Sequence, residues 1–160
     1  MKQPWWKGPN GEWYVVIQFL LFGILFIMPY LVDTAPWPAP FGRIAQVIGL
    51  LLGMSGMALA FWGVASLGDN LTAVPKPKTS AQMVKHGAYR LVRHPIYSGV
   101  ILAGFGWSLL NQSVPTLIIA LILFLFFDIK SRKEETWLTE KYENYPAYQQ
   151  EVRKLIPYIY

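Results

Sequence analysis

The sequence predicts an all-α integral membrane protein of about four transmembrane helices, the last two forming a helical hairpin, with a cytoplasmic C-terminal amphipathic helix. Three observations predict it. Hydrophobic residues make up 54% of the 160 against 14% charged, which leaves too few charges to coat the water-facing surface of a single domain. The uncharged residues are gathered into runs long enough to cross a hydrocarbon core of about 30 Å. Of the 14 Lys and Arg residues, all but Arg43 fall in polar blocks that a four-span arrangement places on one side.

Trp13 to Val32 is an uncharged run of about 30 Å as a helix, with Trp5, Trp6, Trp13 and Tyr14 as an aromatic belt at its start. The N-terminal basic residues are not followed by a small-residue cleavage site, so this first span reads as retained. Asp33 to Arg43, with Pro36, Pro38 and Pro40, reads as a stiff external turn that cannot be helical. Ile44 to Leu67 is a second crossing, of roughly 36 Å. Its Gly49 and Gly53 form a GxxxG pair and, with Gly56, permit close helix packing. Ile96 to Phe127 is uncharged throughout, about 48 Å as one helix and too long for one crossing. The amide-rich "NQSVP", Asn111 to Pro115, breaks it into two antiparallel spans. The second continues into an amphipathic stretch from Asp128 to about Glu143. The chain is thus one membrane domain, 1–160, with spans at about 13–32, 44–67, 96–110 and 115–129 and cytoplasmic segments 68–95 and 130–160. Both termini share the cytoplasmic face.

Composition also narrows the function. The net charge of +5 is split by apolar runs, which suits anionic lipid headgroups and not nucleic acid. With no cysteine there is no disulfide, thiolate nucleophile or Cys-ligated metal, and two histidines make a poor metal site.

The polar residues are densest in "GAYRLVRHPIYSG", Gly87 to Gly99, where the chain re-enters lipid. His94 precedes Pro95, so the backbone there is biased toward extension and a helix starts at the proline. The free N–H groups of that helix, with Arg90, Arg93 and His94 beside them and Tyr89 and Tyr97 as flat faces, could cradle a ligand with an anionic end and an aromatic base. The same residues could simply anchor a helix at the headgroups. In "DIKSRKEETWLTEKYENYPAYQQEVRKLIP", Lys130 and Glu134 share a helical face, as do Glu135 and Thr139. Ligand contacts and solvated ion pairs are both open to them. The stretch "LGDNLTAVPKPKTSAQMVKHG" is either a linker near lipid or a flap over the site.

Leu67 to Pro157, more than half the chain, resembles the isoprenylcysteine carboxyl methyltransferase family of integral membrane enzymes, particularly its short bacterial members. Gly-x-Tyr, Arg-His-Pro-x-Tyr-x-Gly and Glu-Glu-x-x-Leu recur in its order and spacing. The resemblance implies S-adenosylmethionine as methyl donor at the cytoplasmic face, in a bacterial inner membrane. It implies Gln82, Met83, Val84, Tyr89, His94, Pro95, Ile96, Tyr97 and Glu134 as cofactor-binding residues, with His94 and the backbone after Pro95 at the cofactor's carboxylate end. Acceptor positioning falls to Lys130, with Arg132 nearby, where the eukaryotic enzymes carry an arginine. A lysine keeps the charge but not the bidentate fork. The acceptor is then a lipophilic isoprenylcysteine-like carboxylate, a phospholipid amine or a small thiol. The Arg-His-Pro-x-Tyr element is also similar to one in membrane sterol reductases, which use NADPH, but those chains are much longer. A non-catalytic membrane module is the remaining reading.

Overall fold

A computed structural model describes residues 8–160; Trp5 and Trp6 of the expected aromatic belt, and the basic Lys2 and Lys7, lie outside the described residues. Five α-helices follow in order: α1 (Glu12–Leu31), α2 (Phe41–Leu67), α3 (Pro95–Leu110), α4 (Val114–Lys141) and α5 (Tyr145–Glu151). Of these, α1, α2 and α4 are long and apolar enough to cross a membrane, while α3 is a shorter apolar helix of 16 residues, about 24 Å.

Helix α2 begins at Phe41, so the expectation that no part of 33–43 is helical is corrected for its last three residues. Pro40 is the final proline and sits at the N-cap. Beyond it every residue has an N–H, and those of Gly42 and Ile44 donate to the carbonyls of Pro38 and Pro40.

The tightest helix pair is α2 against α3, and glycine explains it. Gly42, Gly49, Gly56 and Gly63 recur every seven residues on α2, and Gly99 and Gly106 do so on α3, so each set lies on one helix face. A Cβ at Gly49 would stand 2.7 Å from the carbonyl oxygen of Gly106, and one at Gly56 would stand 2.5 Å from that of Gly99. The backbones therefore touch directly, antiparallel, which small residues alone permit. Gly53, the second member of the GxxxG pair, has open space where its Cβ would be. The packing register is the seven-residue one, and it is intramolecular.

The hairpin turn falls where "NQSVP" predicts. Asn111 caps α3, Gln112 takes φ 51°, and the Ser113 hydroxyl caps α4 by accepting from the Thr116 N–H at 3.3 Å. Gln112 also accepts from the Trp37 N–H, which ties the hairpin to the loop before α2. Beyond its apolar half, α4 runs on without a break to Lys141. The polar stretch from Asp128 thus continues the last span as expected, because nothing between Phe127 and Lys141 breaks the helix, and the short α5 follows it.

The core joins Leu25, Ile101, Ala120, Leu123 and Phe127 to Leu155 of the tail. The tail crosses the start of α3 and pairs with it: the N–H groups of Arg93 and His94 donate to the carbonyls of Arg153 (2.8 Å) and Lys154 (3.1 Å). The Ser98 hydroxyl donates to the Leu155 carbonyl at 2.7 Å.

Candidate functional site

At the end of the bundle where α3 begins, a cavity of about 240 Å³ opens between the polar half of α4, the loop before α3, α5 and the strand-free segment 71–84. That segment has little backbone pairing of its own, so it lies over the cavity as a strap. Side chains hold it from outside: Asn70 Oδ1 accepts from the Gln82 N–H at 2.9 Å, the Tyr142 hydroxyl donates to the Ala81 carbonyl at 2.7 Å, and Lys141 Nζ donates to the carbonyl of Thr79 at 3.1 Å. Gly87, φ +60°, lets the chain turn back beneath α2, where any added Cβ would strike the Ser66 side chain.

One carboxylate organises the floor. Glu135 Oε1 accepts from Arg93 Nε at 2.7 Å, Glu135 Oε2 from Arg93 Nη2 at 3.3 Å and from Gln149 Nε2 at 3.0 Å. His94 Nε2 lies 3.0 Å from Oε1 of the same group. The remaining Arg93 Nη1 donates to the carbonyls of Gln149 and Val152. The loop, α4 and α5 are thereby joined through one buried charge pair, which is tolerable because nearly every donor and acceptor in it is satisfied.

Glu134, one residue earlier, points into the cavity instead. It accepts from the Tyr97 hydroxyl at 2.6 Å and stands 3.8 Å from His94 Nδ1. The His94 and Tyr97 rings are parallel within 1°, with centroids 5.4 Å apart, and Tyr97 stacks in turn on Phe127 at 4.7 Å. Lys130, 1% exposed, reaches the same cavity one turn before Glu134, donating to Gln18 Oε1 of α1 at 2.6 Å with its ammonium 5.0 Å over the Tyr97 ring. Tyr89, Tyr145 and Tyr148 line the cavity as well, the last donating to the Tyr89 carbonyl at 2.6 Å. Burial, and then the nearby Glu134, pushes the Tyr89 phenol well above the ordinary range, and burial pushes Tyr145 and Tyr148 the same way. These hydroxyls therefore stay protonated.

Of the residues expected at the site, Gln82, Met83, Val84, Tyr89, His94, Ile96, Tyr97, Glu134 and Lys130 all line this cavity. Pro95 is buried at the first position of α3 and does not line it. Arg132 does not share it either, and this corrects the expectation that it lies with Lys130. Two residues on a helix are about 200° apart, so Arg132 faces outward, pairing with Asp128 at 2.9 Å and with the Tyr160 hydroxyl. Arg90 is exposed as well. The His94 ring, lying between two carboxylates, is poorly placed to receive a third. Sequence reading missed Gln18, Glu135, Tyr145 and Tyr148. Gln18 had a signal, being a lone amide in an apolar run; the clamp of Glu135 on Arg93 and His94 had none, because those partners are 42 and 41 residues away.

The lining fits a cofactor that is partly aromatic, partly hydroxylated and partly cationic, for it includes the phenols of Tyr89, Tyr97, Tyr145 and Tyr148, Gln82 and the Glu134 carboxylate. Fold and cavity together define a membrane protein with a ligand chamber at one end of its helix bundle. A sequence model of the phospholipid methyltransferase family matches residues 44–145, and the chain belongs to that family. Among curated relatives, a probable protein-S-isoprenylcysteine O-methyltransferase of Oryza sativa subsp. indica is 30% identical over 116 residues, covering 70% of this chain and 61% of the relative. A methanethiol S-methyltransferase of a Pseudomonas species is 27% identical over 165 residues, covering 90% and 58%. The chain thus spans about three fifths of the length of the curated relatives it matches. The solved structure of a eukaryotic intramembrane Ras methyltransferase, isoprenylcysteine carboxyl methyltransferase, superposes with a TM-score of 0.66 at 24% identity, over 94% of this chain and 54% of that one, which shows a shared fold. The resemblance drawn from residues 67–157 is borne out by these relatives.

Proposed function

We propose that the protein is an S-adenosylmethionine-dependent methyltransferase acting at the cytoplasmic face of a bacterial inner membrane, with four spans and both termini cytoplasmic, on a lipophilic or small acceptor. The observation that carries this reading is the convergence of Gln82, Met83, Val84, Tyr89, His94, Tyr97 and Glu134 on one cavity, from segments up to 52 residues apart. The relatives' acceptors, an isoprenylcysteine and methanethiol by their names, support a choice between lipid-like and small.

S-adenosylmethionine supplies, when bound, a methyl group on a sulfonium that a nucleophile takes by in-line displacement. The protein's part is then alignment and exclusion of water, with no covalent enzyme intermediate. Glu134 offers an acceptor to hydroxyl or ammonium groups, and its bond from Tyr97 fixes the carboxylate's direction. Tyr89, Tyr145 and Tyr148 offer flat faces and protonated hydroxyls. His94 is held by Glu135 and stacks on Tyr97, so its role is to hold that ring and face Glu134; this replaces its expected contact with the cofactor's carboxylate. Lys130 stands at the acceptor end. The strap covers the water side, and the acceptor reaches the cavity from the bilayer between helices.

Isothermal titration of the detergent-purified chain with S-adenosylhomocysteine tests this reading. One-to-one binding is expected, weakened about tenfold or more in Glu134→Ala, which loses a charge-assisted contact. No binding to folded protein, or equal binding in Glu134→Ala, would overturn the site.

A further inference from the structure

Among the exposed residues of α4, Ile118, Leu121, Ile122, Leu125 and Ile129 recur at helical spacing and so form one apolar stripe. On a helix long and apolar enough to cross a membrane, such a stripe faces acyl chains. One turn past Ile129 the same side of α4 carries Arg132, with Lys133 next to it, and both are exposed. The acyl level therefore ends, and the headgroup level begins, between Ile129 and Arg132.

The tail brings a second apolar element to that level. Residues 156–160 form a closed turn: the Tyr160 carbonyl accepts from the N–H groups of Leu155 at 2.7 Å and Ile156 at 2.6 Å, and the Ile156 carbonyl accepts from those of Ile159 at 3.1 Å and Tyr160 at 3.0 Å. The turn is held against α4, because the Tyr160 hydroxyl donates to Asp128 Oδ1 at 2.7 Å and accepts from Arg132 Nη2 at 3.0 Å. Just before it, the carbonyls of Arg153 and Lys154 hold the N–H groups of Arg93 and His94. The turn thus has a fixed place beside the boundary. At its tip Tyr158 and Ile159 are 86% and 76% exposed, with Ile156 exposed beside them. Turns that face water are usually tipped by Gly, Asn, Asp or Ser. Here Tyr158 holds φ 63°, a left-handed conformation that bulky side chains rarely adopt, and its exposed ring gains little packing against the protein. The medium that suits an apolar side chain and a tyrosine next to arginine and lysine is the bilayer interface.

We infer that the turn at 156–160 is an interfacial anchor whose partner is the lipid surface: Tyr158 and Ile159 enter the boundary between acyl chains and headgroups, while Arg132 and Lys133 stand at the level of the phosphates. The anchor continues the lipid-facing stripe of α4 and goes beyond the methyltransferase reading, on which it does not depend. Its tail is the one that braces Arg93 and His94, so the anchor also fixes the cavity floor to the membrane boundary.

The chain has no cysteine, so a single introduced one can be labelled without background. Tyr158→Cys and Ile159→Cys, each made in the full chain and carrying one nitroxide, are reconstituted in bilayers of phosphatidylcholine and phosphatidylglycerol. Power-saturation electron paramagnetic resonance then compares collisions with oxygen, which concentrates among acyl chains, and with a neutral nickel chelate, which stays in water. Ile122→Cys, in the stripe, and Glu140→Cys, exposed on the polar half of α4, mark the lipid and water limits. Labels at 158 and 159 should show an oxygen-to-nickel ratio several-fold above that at 140 and approaching that at 122. A ratio equal to that at 140 would put the turn in water and overturn the inference. Few collisions with either reagent would show the tip covered by protein, such as a second copy of the chain, and would overturn it equally. Both tip residues are exposed, so neither substitution removes packing that folding needs.

Discussion

Glu135 and Glu134 are adjacent in the chain and opposite in circumstance. Successive residues on a helix point about 100° apart, so one turns toward Arg93, His94 and Gln149 while the other turns toward Tyr97 and the cavity. The consequence is a division between a carboxylate that holds the floor together and one left to meet a ligand. Glu135→Gln keeps the size but leaves the Arg93 guanidinium without its counter-charge. Stability should fall by about 3 kcal/mol, read as an earlier unfolding midpoint in detergent, because half of a buried ion pair costs more than the whole. Glu134→Gln, removing a partly exposed carboxylate, should change stability far less. A Glu135→Gln protein as stable as the unaltered one would show that the clamp contributes little. Which glutamate did which was not legible in "KEET", since the answer depends on the angle at which α4 meets a loop some 40 residues earlier.

At the scale of elements, the apolar runs were legible because lipid-facing helices need uninterrupted hydrophobicity, and "NQSVP" was legible because amides and proline end helices. The start of α2 was misjudged by three residues, as helix boundaries often are when prolines cluster before them. The glycines of α2 were read as permitting close packing, and Gly49 and Gly56 do approach Gly106 and Gly99, whereas Gly53, the second member of the GxxxG pair, has open space where its Cβ would be. This contrast gives a paired experiment. A Cβ at Gly99 would stand 2.5 Å from the Ala60 backbone nitrogen, so Gly99→Ala must part α2 from α3 and should cost about 1–3 kcal/mol or more in stability. Gly53→Ala meets nothing and should be neutral within about 0.5 kcal/mol in the same unfolding assay. Equal effects would mean that the two helices do not pack through this seam.

The whole molecule is joined at one end, where strap, loop, α4, α5 and tail meet, and its response to pH follows from that. Tyr89, Tyr145 and Tyr148 are buried there with their phenols raised above the ordinary value of 10.0. In the unfolded chain they release protons near pH 10, while in the folded chain they keep them. Their contribution is therefore complete below pH 10 and is lost as pH rises above it. The melting temperature should hold from pH 8 to about 9.5 and then fall, and Tyr148→Phe should make the fall shallower. A melting temperature flat to pH 11 would contradict the burial of these rings.

The sequence by itself determined the solvent, the helices and the residue types of the site, because hydrophobic length, helix-breaking residues and motif order are local properties of the chain. It also carried the resemblance on which the methyl-transfer reading began. The tertiary structure decided which of those residues share a cavity. It turned Arg132 outward, drew Gln18 in from the first helix to meet Lys130 and gave His94 to Glu135. Each of these depends on the angle and depth at which distant helices meet, and that geometry arises from packing across the whole chain, through the glycine seam and the tail beneath α3.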